Sequence, residues 1–166
     1  MKKEIAVGAY RMLADIEKTR AWYAKQPREE WCVCSGCRNM ARVFRSLPPA
    51  VDAVFASFGV DPMCPARAAH YAGKCVSSDA STVFSSAWYH ICGELTEGSR
   101  ASEDGRFADE YGEHWPLQNG WTVVFKKECD LLAEDFPRPC FQMEIFCTIP
   151  WVLDEPNTYL VSPAQD

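Results

Sequence analysis

The sequence lacks the features that direct a protein into or across a membrane. Among its 166 residues, no run approaches the roughly 18 apolar residues of a membrane-spanning helix. The first residues, Met1 to Glu4, open an amphipathic stretch and not the apolar core of a secretory signal. We therefore expect a cytoplasmic protein with no membrane partner, whose thiols stay reduced.

The motifs of common enzyme classes are also missing. The chain has no glycine-rich phosphate-binding loop, no serine nucleophile elbow and no His-Glu-x-x-His zinc motif. It has no excess of basic residues either, because its net charge is −6. Nucleic acids are bound by basic surfaces, so we do not expect a nucleic acid partner. A protein or a small-molecule ligand remains open, and no catalytic residue is assigned.

Helical periodicity dominates the first third of the chain. Apolar residues from Ile5 to Tyr23 recur every three or four positions, which predicts an amphipathic helix that Pro27 ends. The same spacing predicts a second helix over residues 38–47 and a third over residues 49–58. Gly59 stands where a glycine commonly ends a helix. We expect the last two helices to pair as a helical hairpin.

Strand periodicity dominates the rest. Alternating apolar residues predict strands over residues 83–95, 121–125 and 141–149. These segments have no long helical pattern between them. Helices followed by strands are typical of the α+β class with an antiparallel sheet.

Two intervening segments carry loop signals. Residues 61–82 contain prolines and a polar cluster, which predicts a loop with a short helix over residues 66–71. Residues 96–118 are acidic and predict a long surface loop. The fold prediction is one α+β domain over residues 1–166, with an N-terminal helical hairpin packed on a three- to four-stranded antiparallel sheet.

A cysteine-rich turn is the strongest local signal. The nine cysteines are an odd number, which argues against a closed disulfide framework. Cys32, Cys34 and Cys37 lie close together in the chain, and the last two have the C-x-x-C spacing of a metal knuckle. A tight turn at this spacing aims both sulfurs at one point. The turn therefore allows two interpretations, a structural zinc site and a cysteine-rich turn without metal.

A closed zinc site has four ligands, so the turn needs one more. Cys64, His70 and Cys75 are the candidates, and none has a diagnostic spacing. The predicted set of metal ligands is Cys32, Cys34, Cys37 and Cys64. A zinc held by these residues would tie the turn to the segment over residues 61–75.

A thiol-dependent redox enzyme is the alternative function. Cys37 would lie in the first turn of the second helix beside Arg38, where the helix dipole and the cation both lower a thiol pKa. A thioredoxin-like site has a strand before its C-x-x-C, whereas a helix is expected here. This difference ranks redox catalysis below a structural metal.

Three other residues invite a chemical interpretation. His90 and Cys92 lie on one strand face and could form a nucleophile–base pair. Residues two apart on a strand point side by side, so a half-buried histidine beside a packed cysteine is the simpler interpretation. His114 is expected to be solvated within the acidic loop.

Four short motifs occur together along the chain: residues 34–40, 47–49, 58–62 and 149–153. Together they resemble a loose family of small uncharacterised proteins from Gram-positive bacteria. In that family the helix after the cysteine turn often begins Cys-Arg-Asn-Phe, and Met40 stands here in place of the phenylalanine. No activity is known for that family, so the resemblance implies no catalytic residue. It implies one domain from end to end.

The sequence favours a non-enzymatic binding or interaction domain that a structural zinc stabilises. Trp88, Trp121 and Trp151 are expected to line the binding surface, because large aromatic side chains supply most contact area in such surfaces. The alternative is a redox enzyme that uses Cys34 and Cys37.

Overall fold

A computed structural model of the chain describes residues 1–27, 32–71, 81–98, 108–109 and 112–159. Cys75, one of the candidate ligands, lies outside these residues. The described chain forms a seven-stranded antiparallel sheet with three short α-helices. The prediction of a helical hairpin on a three- to four-stranded sheet is therefore wrong.

The sheet contains long and short strands. Its seven strands are β1 (Lys3–Val7), β2 (Tyr10–Ala14), β3 (Arg67–Tyr71), β4 (Thr82–Glu97), β7 (Trp115–Pro116), β8 (Thr122–Lys126) and β9 (Cys140–Pro150). A separate two-stranded ladder joins β5 (Ala108–Asp109) and β6 (Gly112–Glu113). The helices are α1 (Ile16–Tyr23), α2 (Ser35–Val43) and α3 (Pro49–Phe58). The strand order is β1-β2-β4-β9-β8-β7, and β3 pairs with β4 on the same side as β2.

The N-terminal segment differs most from expectation, because a β-hairpin precedes α1 where one long helix was predicted. Gly8 adopts a φ of 57°, a left-handed conformation that suits the tight turn between β1 and β2. In β2 the alternate residues Tyr10, Met12 and Ala14 are buried. The spacing that predicted the helix is correct for α1, whereas the buried residues of β2 recur with a period of two.

Helix α1 fills a gap beside β4. The strands β2 and β3 pair with opposite ends of one edge of β4 and leave His90 and Cys92 between them without a partner strand on that edge. The Tyr23 hydroxyl accepts from the His90 N–H at 3.0 Å and donates to the His90 carbonyl at 3.1 Å. The Thr19 hydroxyl accepts from the Cys92 N–H at 3.0 Å. Two side chains of α1 thus satisfy buried backbone groups of the sheet.

The other two helices match their predicted positions but do not form the expected unit. Both bury the predicted apolar stripe, including Met40, Phe44, Phe55 and Phe58. However, α2 packs against β3, β4 and β9, whereas α3 packs against α1. The sheet, and not a partner helix, covers most of the apolar face of α2.

The three predicted strands are confirmed as β4, β8 and β9. The short helix predicted over residues 66–71 is wrong, because the segment forms β3 against the first half of β4. Part of the predicted loop over residues 96–118 is also strand, since β7 pairs with β8. Residues 99–107 and 110–111 of that loop lie outside the described residues.

Two of the sequence motifs meet in space. The buried Asn39 of α2 donates to the Pro150 carbonyl at 2.9 Å and accepts from the Val152 N–H at 2.7 Å. Arg38 forms an ion pair with Glu155. These contacts hold the start of α2 against the chain that follows β9.

Within the described residues, the helices are all too short or too polar to cross a membrane.

Candidate metal centre and adjoining cleft

The cysteines of the turn converge. We call Cys32, Cys34 and Cys37 the turn cluster. Their sulfurs lie within 4.8 Å of one another, which leaves them able to hold one metal ion. Cys32 is exposed, Cys34 is half-buried and Cys37 is buried. The cluster therefore extends from the protein surface towards the core.

The start of α2 positions the turn cluster. Cys34 is the residue that caps the helix, with an extended backbone (φ −64°, ψ 156°), and its sulfur accepts from the Cys37 N–H at 3.4 Å. Ser35 is the first residue of the helix. The N-terminus of a helix carries partial positive charge, which stabilises thiolates placed there.

His70 approaches the turn cluster from β3. Its Nε2 lies 3.3 Å from the Cys37 sulfur, and its Nδ1 lies 2.9 Å from the Ser85 hydroxyl on β4. A Cβ atom at residue 36 would overlap the His70 ring. Gly36 is therefore required for the close approach of β3 to the turn. The pairing of β3 with β4 brings His70 beside Ser85 in the first place.

The protonation properties of these groups follow from their surroundings. Burial lowers the pKa of His70 to about 4, so its imidazole is neutral at pH 7. Partial burial acts to raise the pKa of Cys34, but hydrogen bonds from the Cys37 N–H, Cys32 and Tyr159 outweigh it and lower this pKa to about 7. Burial, reinforced by the neighbouring Cys34 thiol, raises the pKa of Cys37.

The contact between Cys37 and His70 has the length expected of two zinc ligands. In a tetrahedral site with zinc–sulfur and zinc–nitrogen distances of about 2.3 Å and 2.0 Å, two sulfurs are roughly 3.8 Å apart, and a sulfur and a nitrogen are roughly 3.5 Å apart. The Cys37–His70 contact of 3.3 Å matches the second value. A neutral imidazole is the form that binds a metal. The Ser85 contact fixes the ring orientation, as partners of metal-binding histidines do.

Neither Cys64 nor His70 belongs to the group whose ligand atoms all lie within 4.8 Å of one another, and His70 contacts the turn cluster through Cys37. Cys64 lines a cleft of about 670 Å³ together with Cys32 and Cys37. The N–H of Cys64 donates to the Asp61 carbonyl at 3.0 Å in the turn that leads to β3. Its role as the fourth ligand stays a prediction.

The cleft has both apolar and polar groups in its lining, and Gln26 and Arg67 are among the polar ones. Trp22 and Tyr23 of α1 form one side, and Leu131 and Ala133 of the loop between β8 and β9 form another. The Trp22 Nε1 is buried and has no hydrogen-bond partner among the described residues. The volume of the cleft lies in the range of small-molecule sites, roughly 300–1,000 Å³. The sequence favoured Trp88, Trp121 and Trp151 for such a surface, yet Trp22 lines the cleft and Trp121 is buried in the core.

The remaining candidate residues have structural roles. His90 is buried and not half-buried as expected, its Nε2 donates to the Asp130 carbonyl at 3.0 Å, and it belongs to the lining of the cleft. The expectation that His114 is solvated is wrong. His114 is half-buried, with Nδ1 lying 3.0 Å from the Thr122 hydroxyl and its ring 4.6 Å from that of Phe146.

Two residues near the turn cluster were not predicted from the sequence. Ser85 is one of many serines, and Tyr159 lies far from the turn in the chain. The Tyr159 hydroxyl hydrogen-bonds to the Cys34 sulfur and lowers its pKa. Gly36 was the available signal for a close neighbour, since it lies inside the C-x-x-C turn.

Comparisons with known proteins add no assignment to this geometry. The chain matches no protein-family model, no curated protein and no solved structure with which it was compared. The interpretation of the site therefore rests on the contacts described above.

Proposed function

We propose that this protein is a zinc-stabilised binding domain, in which the turn cluster and His70 hold the metal and the adjoining cleft takes a small apolar ligand. The proposal includes no catalytic step. One observation carries it: His70 Nε2 lies 3.3 Å from the Cys37 sulfur, beside three sulfurs within 4.8 Å of one another.

The donor set supports zinc over other common metals. Thiolate sulfur and imidazole nitrogen favour zinc, whereas magnesium and calcium prefer oxygen ligands. Three sulfurs and one nitrogen fill all four tetrahedral positions, and a filled site is typical of structural zinc. Such a site needs reduced thiols, which agrees with the expected cytoplasmic location.

We place His70 in the fourth position because it contacts Cys37 directly. Cys64 is the competing ligand, since it lines the cleft beside Cys32 and Cys37. With His70 as ligand, zinc would join the start of α2 to β3. It would thereby hold one end of the cleft in place.

Trp22, Leu131 and Ala133 offer a ligand apolar contacts, and Gln26 and Arg67 add polar groups to the same lining. Leu131 is 60% exposed at the cleft wall, so Leu131→Asp should leave the core intact. Binding of a small apolar fluorophore should weaken at least about tenfold in this variant, because a carboxylate resists burial against an apolar ligand. Unchanged binding would contradict the cleft part of the proposal.

The metal part is tested by analysis of the reduced, untagged chain. We expect about one zinc per chain and a fall in Tm when a chelator removes it, because metal binding and folding are coupled. Readdition of zinc should restore the original Tm. A chain purified without metal, whose Tm does not respond to added zinc, would contradict the proposal.

One observation favours a second candidate, a thiol-dependent redox enzyme. Cys34 is half-buried at the helix cap while Cys37 is buried behind it, an arrangement suited to an attacking and a resolving thiol. The two candidate functions differ in how fast Cys34 must react when no metal is bound. In the metal-free chain a redox enzyme requires rapid alkylation of Cys34 below pH ~7. Slow alkylation there would exclude it.

A further inference from the structure

A second pair of thiols lies away from the turn cluster. We call Cys129 and Cys140 the hairpin pair, because they lie at the two ends of the loop between β8 and β9. Their sulfurs are 3.8 Å apart, with the Cys129 thiol donating to the Cys140 sulfur. Both residues are half-buried, so a small reagent can reach them. Contact between two sulfurs is the starting arrangement for a disulfide, whose bond is about 2.05 Å long.

Cys92 is the competing partner for Cys140. The two residues face each other across β4 and β9. The Cys92 N–H donates to the Thr19 hydroxyl and its carbonyl accepts from the Asp15 N–H, so neither group bonds to β9. Pairs without such bonds bring side chains closest across antiparallel strands. However, Cys92 is 2% exposed, whereas Cys129 is open to solvent on one side. Access therefore favours Cys129.

The loop between the hairpin pair forms part of the cleft. Leu131 and Ala133 line the cleft, and the buried Phe136 packs edge-on against Trp22 with ring centroids 4.8 Å apart. At the base of the loop, the Asp130 N–H donates to the Gln142 side-chain carbonyl at 2.7 Å. A covalent bond across this base would restrict the whole loop.

We infer that Cys129 and Cys140 form a reversible disulfide that fixes the loop wall of the cleft. The oxidant is a low-molecular-weight disulfide. The inference does not depend on zinc at the turn cluster, because it uses different thiols. Among the described residues, groups of three or more metal-binding side chains occur at the turn cluster and not here.

The chemistry is two successive thiol–disulfide exchanges. The Cys140 thiolate attacks one sulfur of the small disulfide, forms a mixed disulfide and releases one small thiolate. Cys129 then loses its proton to this thiolate, and its sulfur attacks the Cys140 sulfur, which releases the second small thiolate. That thiolate takes up the proton that Cys140 lost to solvent. The protein gives up two electrons and two protons in total, and one small disulfide becomes two small thiols.

Peptide mapping of the full chain tests the pairing. Cleavage after Glu128, Glu134 and Glu144 places Cys129 and Cys140 on separate peptides with one cysteine each. After treatment of the reduced chain with oxidised glutathione, we expect these two peptides to stay linked until dithiothreitol separates them. The link should be absent in Cys129→Ser and present in the control Cys64→Ser.

Three outcomes would overturn the inference. They are no linked peptides, mixed disulfides with glutathione alone, and a link from Cys140 to the peptide that contains Cys92. The effect on the cleft has its own readout. Hydrogen exchange of residues 130–139 should slow on oxidation of the native chain and not of Cys129→Ser. A disulfide that leaves this exchange unchanged would overturn the part that concerns the cleft.

Discussion

The turn cluster and the hairpin pair place cysteines in contact in two different settings. The turn cluster has a helix N-terminus behind it and the imidazole of His70 beside it. The hairpin pair lies at strand ends, with contacts between its own two sulfurs. The surroundings of the sulfurs, and not their mere proximity, distinguish a metal centre from a dithiol. We therefore expect the turn cluster to hold zinc and the hairpin pair to respond to oxidants.

The largest expected effect is the loss of zinc from a variant of the turn cluster but not from a variant of the hairpin pair. Cys37→Ser should lose zinc and reduce the free energy of unfolding by about 3 kcal/mol or more, since a structural metal contributes directly to folding. Cys129→Ser is the matched control and should keep its zinc. Elemental analysis and denaturant unfolding measure both effects. Loss of zinc from the control, or retention in Cys37→Ser, would remove the distinction.

The next prediction concerns the fourth ligand. His70→Ala should weaken zinc binding by roughly 100-fold or more, because one of four ligands is lost. Cys64→Ser should keep the affinity of the native chain. Competition with a chromogenic chelator measures both. The reverse result, with Cys64→Ser impaired and His70→Ala intact, would show that the ligand set predicted from the sequence is correct.

A third prediction uses the titration of the metal-free turn cluster. The pKa of Cys34 is lowered to about 7, so its alkylation should rise with pH and reach half its maximal rate near pH 7. Below this pH the thiol is protonated and slow. Cys37, whose pKa burial raises, should stay unreactive through neutral pH. Bound zinc should suppress the alkylation of Cys34. Mass spectrometry of the labelled peptides measures both thiols. Labelling of Cys34 that does not rise with pH, or rapid labelling of Cys37 at neutral pH, would contradict the prediction.

The smallest expected effect concerns Ser85, which contacts the proposed ligand His70 and is not itself a ligand. Ser85→Ala removes the contact at His70 Nδ1 and should weaken zinc binding about tenfold, as other partners of metal-binding histidines do. The control is Ser57→Ala, at a serine whose hydroxyl donates to the Val54 carbonyl on α3. Equal affinities of the two variants would show that Ser85 does not orient the ring.

Local periodicity predicted those parts of the fold in which each element sets its own pattern. The alternation in β4, β8 and β9 and the stripe in α3 gave correct elements, because the apolar residues there recur at the period of the element that forms. The predictions for β2 and β3 failed for a common reason. Each of these strands pairs with β4, and a partner outside the local window leaves no trace in it.

The candidate site was likewise predicted only in part from the sequence. The C-x-x-C spacing predicted that the sulfurs of Cys34 and Cys37 converge, which is confirmed, and the sulfur of Cys32 joins them. The contact of His70 depends on β3, which the sequence predicted to be a short helix. Only the pairing of β3 with β4 places this histidine beside Gly36 and Ser85. For this reason the sequence could propose His70 as one of several ligands but could not select it.

X-ray absorption at the zinc edge tests the central claim most directly, because it reports the atoms bound to the metal. The account predicts three sulfur neighbours at about 2.3 Å and one nitrogen neighbour at about 2.0 Å in the native chain. The nitrogen should disappear in His70→Ala. Four sulfur neighbours, or a reduced chain that binds no zinc, would contradict the account.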